Sequence, residues 1–271
     1  MNSINYVINF IFDLFFYPYR SIDPIYGLLA VSLLTTVIVL PIFKRTSNQE
    51  GIKKIKALMM GHILELRLFK DDIRIVLSAQ KNILKHNMTY LKYTLKPLVF
   101  MMLPVVIIII QTEVRYENRP LHPGETAVVK VMLNTEKGGD VVLTVPDGLK
   151  VETLPLRIDG GKEIYWRVIA EKEGTYSLGL KGLDREVEKK VFVTDKVTRF
   201  SPVVLKGGLV GSFLNPGELP LPDDSIVELF EIRYPDGKVG IFGWNVHWLV
   251  LFFILTMVFG FVLLKPFRVT I

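Results

Sequence analysis

Cysteine is absent from this chain of 271 residues. That absence excludes a disulfide framework, thiol catalysis, iron–sulfur ligation by cysteine and any cysteine-built zinc site. The four histidines, His62, His86, His122 and His247, fall on different segments without metal-ligand spacing. HExxH, GxSxG, Walker A and GxGxxG patterns are missing too, so the common zinc-protease, serine-hydrolase and nucleotide-binding motifs have no counterpart. The chain therefore reads as a non-enzyme without metal or cofactor. Charge is unevenly scarce: 22% of residues are charged and 50% are apolar, but the charges collect in some segments and leave others nearly bare. Neither a uniform globular chain nor a disordered one has that layout.

Ile25 to Phe43 runs 19 residues without a charge, about 28 Å as a helix, close to the roughly 30 Å thickness of bilayer hydrocarbon. Val239 to Leu264 runs 26 uncharged residues, with Trp244 and Trp248 near one end and Lys265 at the other, as a span with an aromatic belt does. Pro97 to Thr112 has only 16, so a second span over 93–112 has to recruit Tyr93 to Leu95, snorkel Lys96 or thin the membrane. Residues 1–24 carry Ile4, Val7, Ile8, Ile11, Phe12, Phe15 and Phe16 at helical spacing around Asp13. They read as an amphipathic helix in the membrane plane, with a fourth span as the alternative. The lack of a basic start argues against a cleaved signal peptide.

Orientation follows from the bases. The net charge of +6 could suggest a nucleic-acid partner, but residues 41–97 alone hold 12 Lys/Arg against four acids, and 265–271 add Lys265 and Arg268. The positive-inside rule assigns both to the cytoplasm, leaving the N-terminus and 113–238 outside a multi-pass protein of the cytoplasmic (inner) membrane.

Between the first two spans, residues 44–92 carry Ile52, Ile55, Met59, Ile63, Leu66 and Phe69, then Ile73, Val76, Leu77, Ile83, Leu84, Met88 and Leu91, at helical steps. FKDD between the two sets supplies Asp71 or Asp72 as a cap, which predicts an antiparallel helical hairpin. Its lysines are either a solvated face or contacts to anionic lipid, ribosomal RNA or a nascent chain. Residues 113–199 switch to alternating strands, TAVVKVMLN, DVVLTV, EIYWRVIA, GTYSLGLKG and EVEKKVFVT, with turn residues between them. They predict a small β-sandwich with Trp166 and Tyr176 in its core. EGTYSLGLKG resembles a late strand of immunoglobulin-like extracytoplasmic domains. Residues 200–238 read as a Gly/Pro-rich connection in which Ile226 to Tyr234 adds an edge strand.

The stretch LLTTVIVLPIFKRTSNQEGIKKIKALMMGHILELRLFKDD resembles the YidC/Oxa/Alb membrane insertase superfamily. Pro41, Lys44, Lys53, Lys54 and Lys56 match the apolar-Pro-apolar end of a transmembrane helix and the basic start of a cytoplasmic hairpin. The similarity covers roughly residues 1–112 and the third span, in the three-span arrangement of the archaeal and eukaryotic branches. It implies an α-helical membrane protein with an inserted all-β domain, acting on nascent or small membrane proteins in the bilayer, near the ribosome. Ser32, Thr35, Thr36, Met101, Gln111 and Asn245 would line a semi-polar groove, and Lys53, Lys54, Lys56, Met59 and Met60 would meet substrate on the hairpin. The rival expectation is a non-enzymatic scaffold whose β-domain binds an extracytoplasmic protein.

Overall fold

The computed structural model describes all residues except 1–2, 136–140, 183–186, 208–215, 223, 242 and 270–271. Its helices are α1 (Ser3–Phe16), α2 (Pro24–Thr46), α3 (Gln49–Leu68), α4 (Ile73–Tyr116) and α5 (Trp248–Phe267). Among them α2, α4 and α5 are long and apolar enough to cross a membrane, as in a multi-pass membrane protein. The chain divides into two compact units, Met1–Leu28 with Ile109–Leu251, and Leu29–Ile108 with Phe252–Ile271.

The second unit holds most of the apolar helices and the hairpin. Asn48 caps α3 by accepting from the Gly51 N–H at 2.9 Å, and Asp72 caps α4 by accepting from Arg74 and Ile75 N–H. The Asp72 cap restarts the helix after the four-residue turn between Leu68 and Ile73, where the chain folds back on itself. The arms run antiparallel, because the stacked rings of His62 and His86 and the Lys56 ammonium over the Tyr90 ring pair rising numbers with falling ones. Sequence spacing predicted a separate second span from residue 93. Instead the second arm and the span are one helix of 44 residues with Pro97 and Pro104 inside it. Continuity removes the length problem, since the helix runs on past Thr112 to Tyr116 and supplies the missing turn.

The first unit is built on two antiparallel sheets. Strands β1 (Thr126–Leu133), β3 (Leu149–Val151), β5 (Glu163–Ala170), β8 (Val203–Leu205) and β9 (Val227–Arg233) form one sheet in the order β3-β5-β1-β9-β8, with β4 (Leu156–Ile158) also on β5. β2 (Val142–Thr144), β6 (Gly174–Lys181) and β7 (Val187–Val193) form the other. Alternation sends Ala127, Val129, Val131 and Leu133 of β1 inward, with Val129 opposite Trp166 on β5 and Ile232 on β9. The inner residues of both sheets share one core, so the architecture is an open sandwich. Trp166 is buried there, and Tyr176 packs against its margin.

Two sequence expectations need correction. The strand within 226–234 was expected at an edge; β9 lies between β1 and β8, with Phe230 and Ile232 alternating into the shared core and Val227, beyond a shift in register, buried there too. The sandwich thus extends well beyond residue 199 into the stretch read as a connection. The third span was expected from Val239, but β10 (Lys238–Ile241) and β11 (Trp244–His247) form a hairpin there and α5 begins at Trp248. Gly243, at φ +82°, supplies the left-handed turn residue that makes this hairpin.

The outer face of α1 is apolar, with Tyr6, Val7, Phe10, Ile11 and Leu14 exposed, while Asn5, Asn9, Phe12 and Phe16 are buried. The sequence-predicted apolar face is therefore split, Val7 and Ile11 facing out and Phe12 and Phe16 facing in; the Ile4 side chain lies outside those described. Apolar residues facing out and amides facing in suit a lipid-exposed helix.

Candidate functional site

The polar residues expected along a groove separate into three places. Ser32, Thr35 and Thr36 sit on one side of α2 and are buried at 0%, 1% and 2% exposure. Thr35 donates to the Val31 carbonyl at 2.7 Å and Thr36 to the Ser32 carbonyl at 2.9 Å, the ordinary way a helix absorbs hydroxyls. Thr36 Oγ1 also lies 3.3 Å from the Thr256 carbonyl of α5, so these hydroxyls face a neighbouring helix rather than open space. Ser32 Oγ and Thr256 Oγ1 are buried without a hydrogen-bond partner, each costing about 1–3 kcal/mol of unrecovered hydration. The α2–α5 contact is thus a seam that holds two unpaired hydroxyls. Thr256 was missed from sequence, although it is the only hydroxyl residue between Trp248 and Leu264.

Gln111 belongs to the first unit. Its Nε2 donates to Asn9 Oδ1 at 2.7 Å, and Asn9 Nδ2 donates to the Pro216 carbonyl at 3.2 Å. Beside them the Asp13 carboxylate meets Arg115 at 2.6 Å, Arg199 at 3.4 Å and Arg20 at 3.8 Å. Asn245 is exposed on β11. Met101 is half-buried on α4.

On the hairpin, Lys53, Lys54 and Met60 are exposed, Met59 is half-buried and Lys56 lies over Tyr90. Only the first turns of α3 are well covered, with Ile52 and Ile55 buried. Farther out Leu64, Leu68, Phe69, Ile73 and Leu77 all stand exposed around the turn, Leu68 at 75%. An apolar surface of this kind, studded with bases, is suited to contact an apolar segment or a lipid surface. Periodicity located these residues but could not say which lacked a packing partner.

Sequence reading also missed the buried ion pair of Lys189 and Glu218, 3.0 Å apart, which has no local pattern because its partners are far apart in the chain. Burial pushes the Lys189 ammonium down and the Glu218 carboxyl up from their ordinary values, each opposed by the other's charge. Among the described residues no three His, Asp or Glu are arranged to hold a metal ion.

Comparison with protein-family models, with curated proteins and with solved structures found no match.

Proposed function

We propose that this chain is a membrane-protein insertion factor of the YidC/Oxa/Alb kind, with the hairpin and C-terminal tail in the cytoplasm and an immunoglobulin-like sandwich outside. The observation that carries the reading is the unpartnered apolar surface at the hairpin turn, Leu64, Leu68, Phe69, Ile73 and Leu77, on a segment with a large excess of bases. Such a surface holds an apolar segment in transit, and the lysines hold its flanks near anionic headgroups. Moving an unpaired backbone group into hydrocarbon costs several kcal/mol. The seam of Ser32, Thr35, Thr36 and Thr256 lowers that cost by exchanging hydroxyl partners with the substrate, and no covalent chemistry is required. Met59, Met60 and Met101 adapt to varied apolar substrates.

The test places a photoreactive residue at Leu68 on the hairpin and at Leu33, exposed on α2 beside the seam. Both positions should form adducts with short, newly made membrane proteins. Replacing Ser32, Thr35 and Thr36 by Ala, Val and Val should reduce the Leu33 adducts and spare those from Leu68. No nascent-chain adduct from either position would overturn the proposal.

One observation favours a scaffold role instead. Leu154 is 90% exposed, and Leu156 and Ile158 of β4 are also exposed on the sandwich, where a protein partner would cover them. Under that reading, crosslinks from Leu156 recover one fixed partner while the spans give none.

A further inference from the structure

A cavity of about 380 Å³ lies in the first unit between α1, β7 and the chain around Gly217. Its wall carries both signs of charge: Lys190 and Arg199 on one hand, Glu188 and Glu218 on the other. The wall is not satisfied by its own members. Arg199 spends one nitrogen on Asp13, and its Nη1 is buried with no hydrogen-bond partner. Glu218 spends Oε2 on Lys189, and its Oε1 is likewise buried and unpartnered. Two residues that line one cavity thus each keep an unsatisfied group, a donor on one and an acceptor on the other, which suits a ligand with an anionic oxygen at one end and an N–H cation at the other. The local charge balance agrees, because the single carboxylate of Asp13 faces three guanidinium groups and leaves positive charge over at the Arg199 side.

The position narrows the ligand further. Asn9 lines the cavity from the inner side of α1, while Tyr6 and Phe10, on the turns flanking it, face outward. α1 thus offers an apolar outer face to lipid chains and a polar inner face to the cavity, the two surfaces that a lipid with a polar headgroup requires. The wall is also tightly built: a Cβ on Gly217 would fall 2.5 Å from the Ser201 N, so only glycine lets the two backbones close the cavity there.

We infer that this cavity is a site for a phosphoethanolamine headgroup, its phosphate held by Arg199 and Lys190 and its ammonium by Glu188 and Glu218. The inference is independent of the insertion activity, since it concerns a lipid bound at the sandwich and not a substrate at the hairpin.

The experiment titrates the purified full-length protein in detergent with dihexanoyl phosphatidylethanolamine, phosphatidylcholine and phosphatidylglycerol, and separately with O-phosphoethanolamine, reading affinity by calorimetry. Choline has no N–H to donate and glycerol no cation, so the ethanolamine lipid should bind at least ~5-fold more tightly than either. Glu188→Gln, at an exposed position that does not enter the core, should bring the ethanolamine lipid close to the choline lipid. Lys190→Met, equally exposed, should weaken all three lipids by roughly 3- to 10-fold. Equal affinity for the three headgroups in the unmodified protein would overturn the assignment whatever the variants do. O-phosphoethanolamine binding as tightly as its lipid would overturn the membrane as the source and leave a soluble zwitterion as the ligand.

Discussion

Asp13 of α1 holds the guanidinium of Arg115, near the C-terminal end of α4, at 2.6 Å, with the arginine side chain 2% exposed and the carboxylate 29%. Arg115 is further engaged by the carbonyl and side chain of Gln111, and its guanidinium lies over the Phe16 ring at 5.0 Å. A short helix with a lipid-type outer face is thus pinned to the rest of the first unit by charge and amides as well as by the buried rings of Phe12 and Phe16.

Asp13→Asn should therefore cost about 2–3 kcal/mol, less than a fully buried pair because the carboxylate is partly exposed. The substitution leaves three arginines facing each other without their counter-ion. Arg20→Gln should cost well under 1 kcal/mol, since that guanidinium is 3.8 Å away and 37% exposed. Thermal unfolding of the detergent-solubilised protein measures both, and limited proteolysis should release α1 first in Asp13→Asn.

Lys189 and Glu218 make a different case, because the lysine side chain has no exposure and also donates to the Ser201 carbonyl at 2.8 Å. Lys189→Met and Glu218→Gln should each destabilise the sandwich by about 3 kcal/mol, as each leaves a buried partner uncompensated. Lys189→Met with Glu218→Gln should cost less than the two singles added together. A double-mutant cycle on chemical unfolding would show whether the coupling exists; strict additivity would remove it.

Glu125 accepts from both Arg119 nitrogens at 2.7 and 2.8 Å and from the His122 N–H at 3.0 Å. The hydrogen bonds from Arg119 first, then that backbone N–H and the positive charges, pull its carboxyl down to about 2 against the burial that opposes them. A carboxyl depressed in the folded state contributes stability above its ordinary value near 4.5 and loses it as pH falls toward 2. The pair is about one-third exposed, so the contribution is about 1 kcal/mol. Between pH 5 and pH 2.5 the unmodified protein should lose more stability than Glu125→Gln, a difference that parallel melts over that range will reveal.

Orientation is testable because the chain has no cysteine of its own. Cysteines introduced at Ser78 on α4 and Ser177 on β6, both exposed, should react with a membrane-impermeant maleimide from opposite sides. Ser78 should be reachable only after the cytoplasmic side is opened. Reaction of both in intact cells would contradict the three-span orientation.

What the amino-acid sequence determined by itself was whatever depends on near neighbours. Charge-free runs of 16 to 26 residues mark three apolar helices, Asp72 beside a helical repeat marks the hairpin turn, and alternation over residues 126–133 and 163–170 marks β1 and β5. Each signal lies within about twenty residues, the range over which period and capping act. Tertiary structure alone decided which of those surfaces meet. It placed β9 inside the sheet, since alternation tells which face is buried but not which strand comes next to it. It turned Val239 to His247 into a hairpin, because an apolar run of that length has no single period to commit it to helix. It also joined Asp13 to Arg115 and Lys189 to Glu218, pairs 102 and 29 residues apart, whose attraction exists only once the fold has taken both partners out of water.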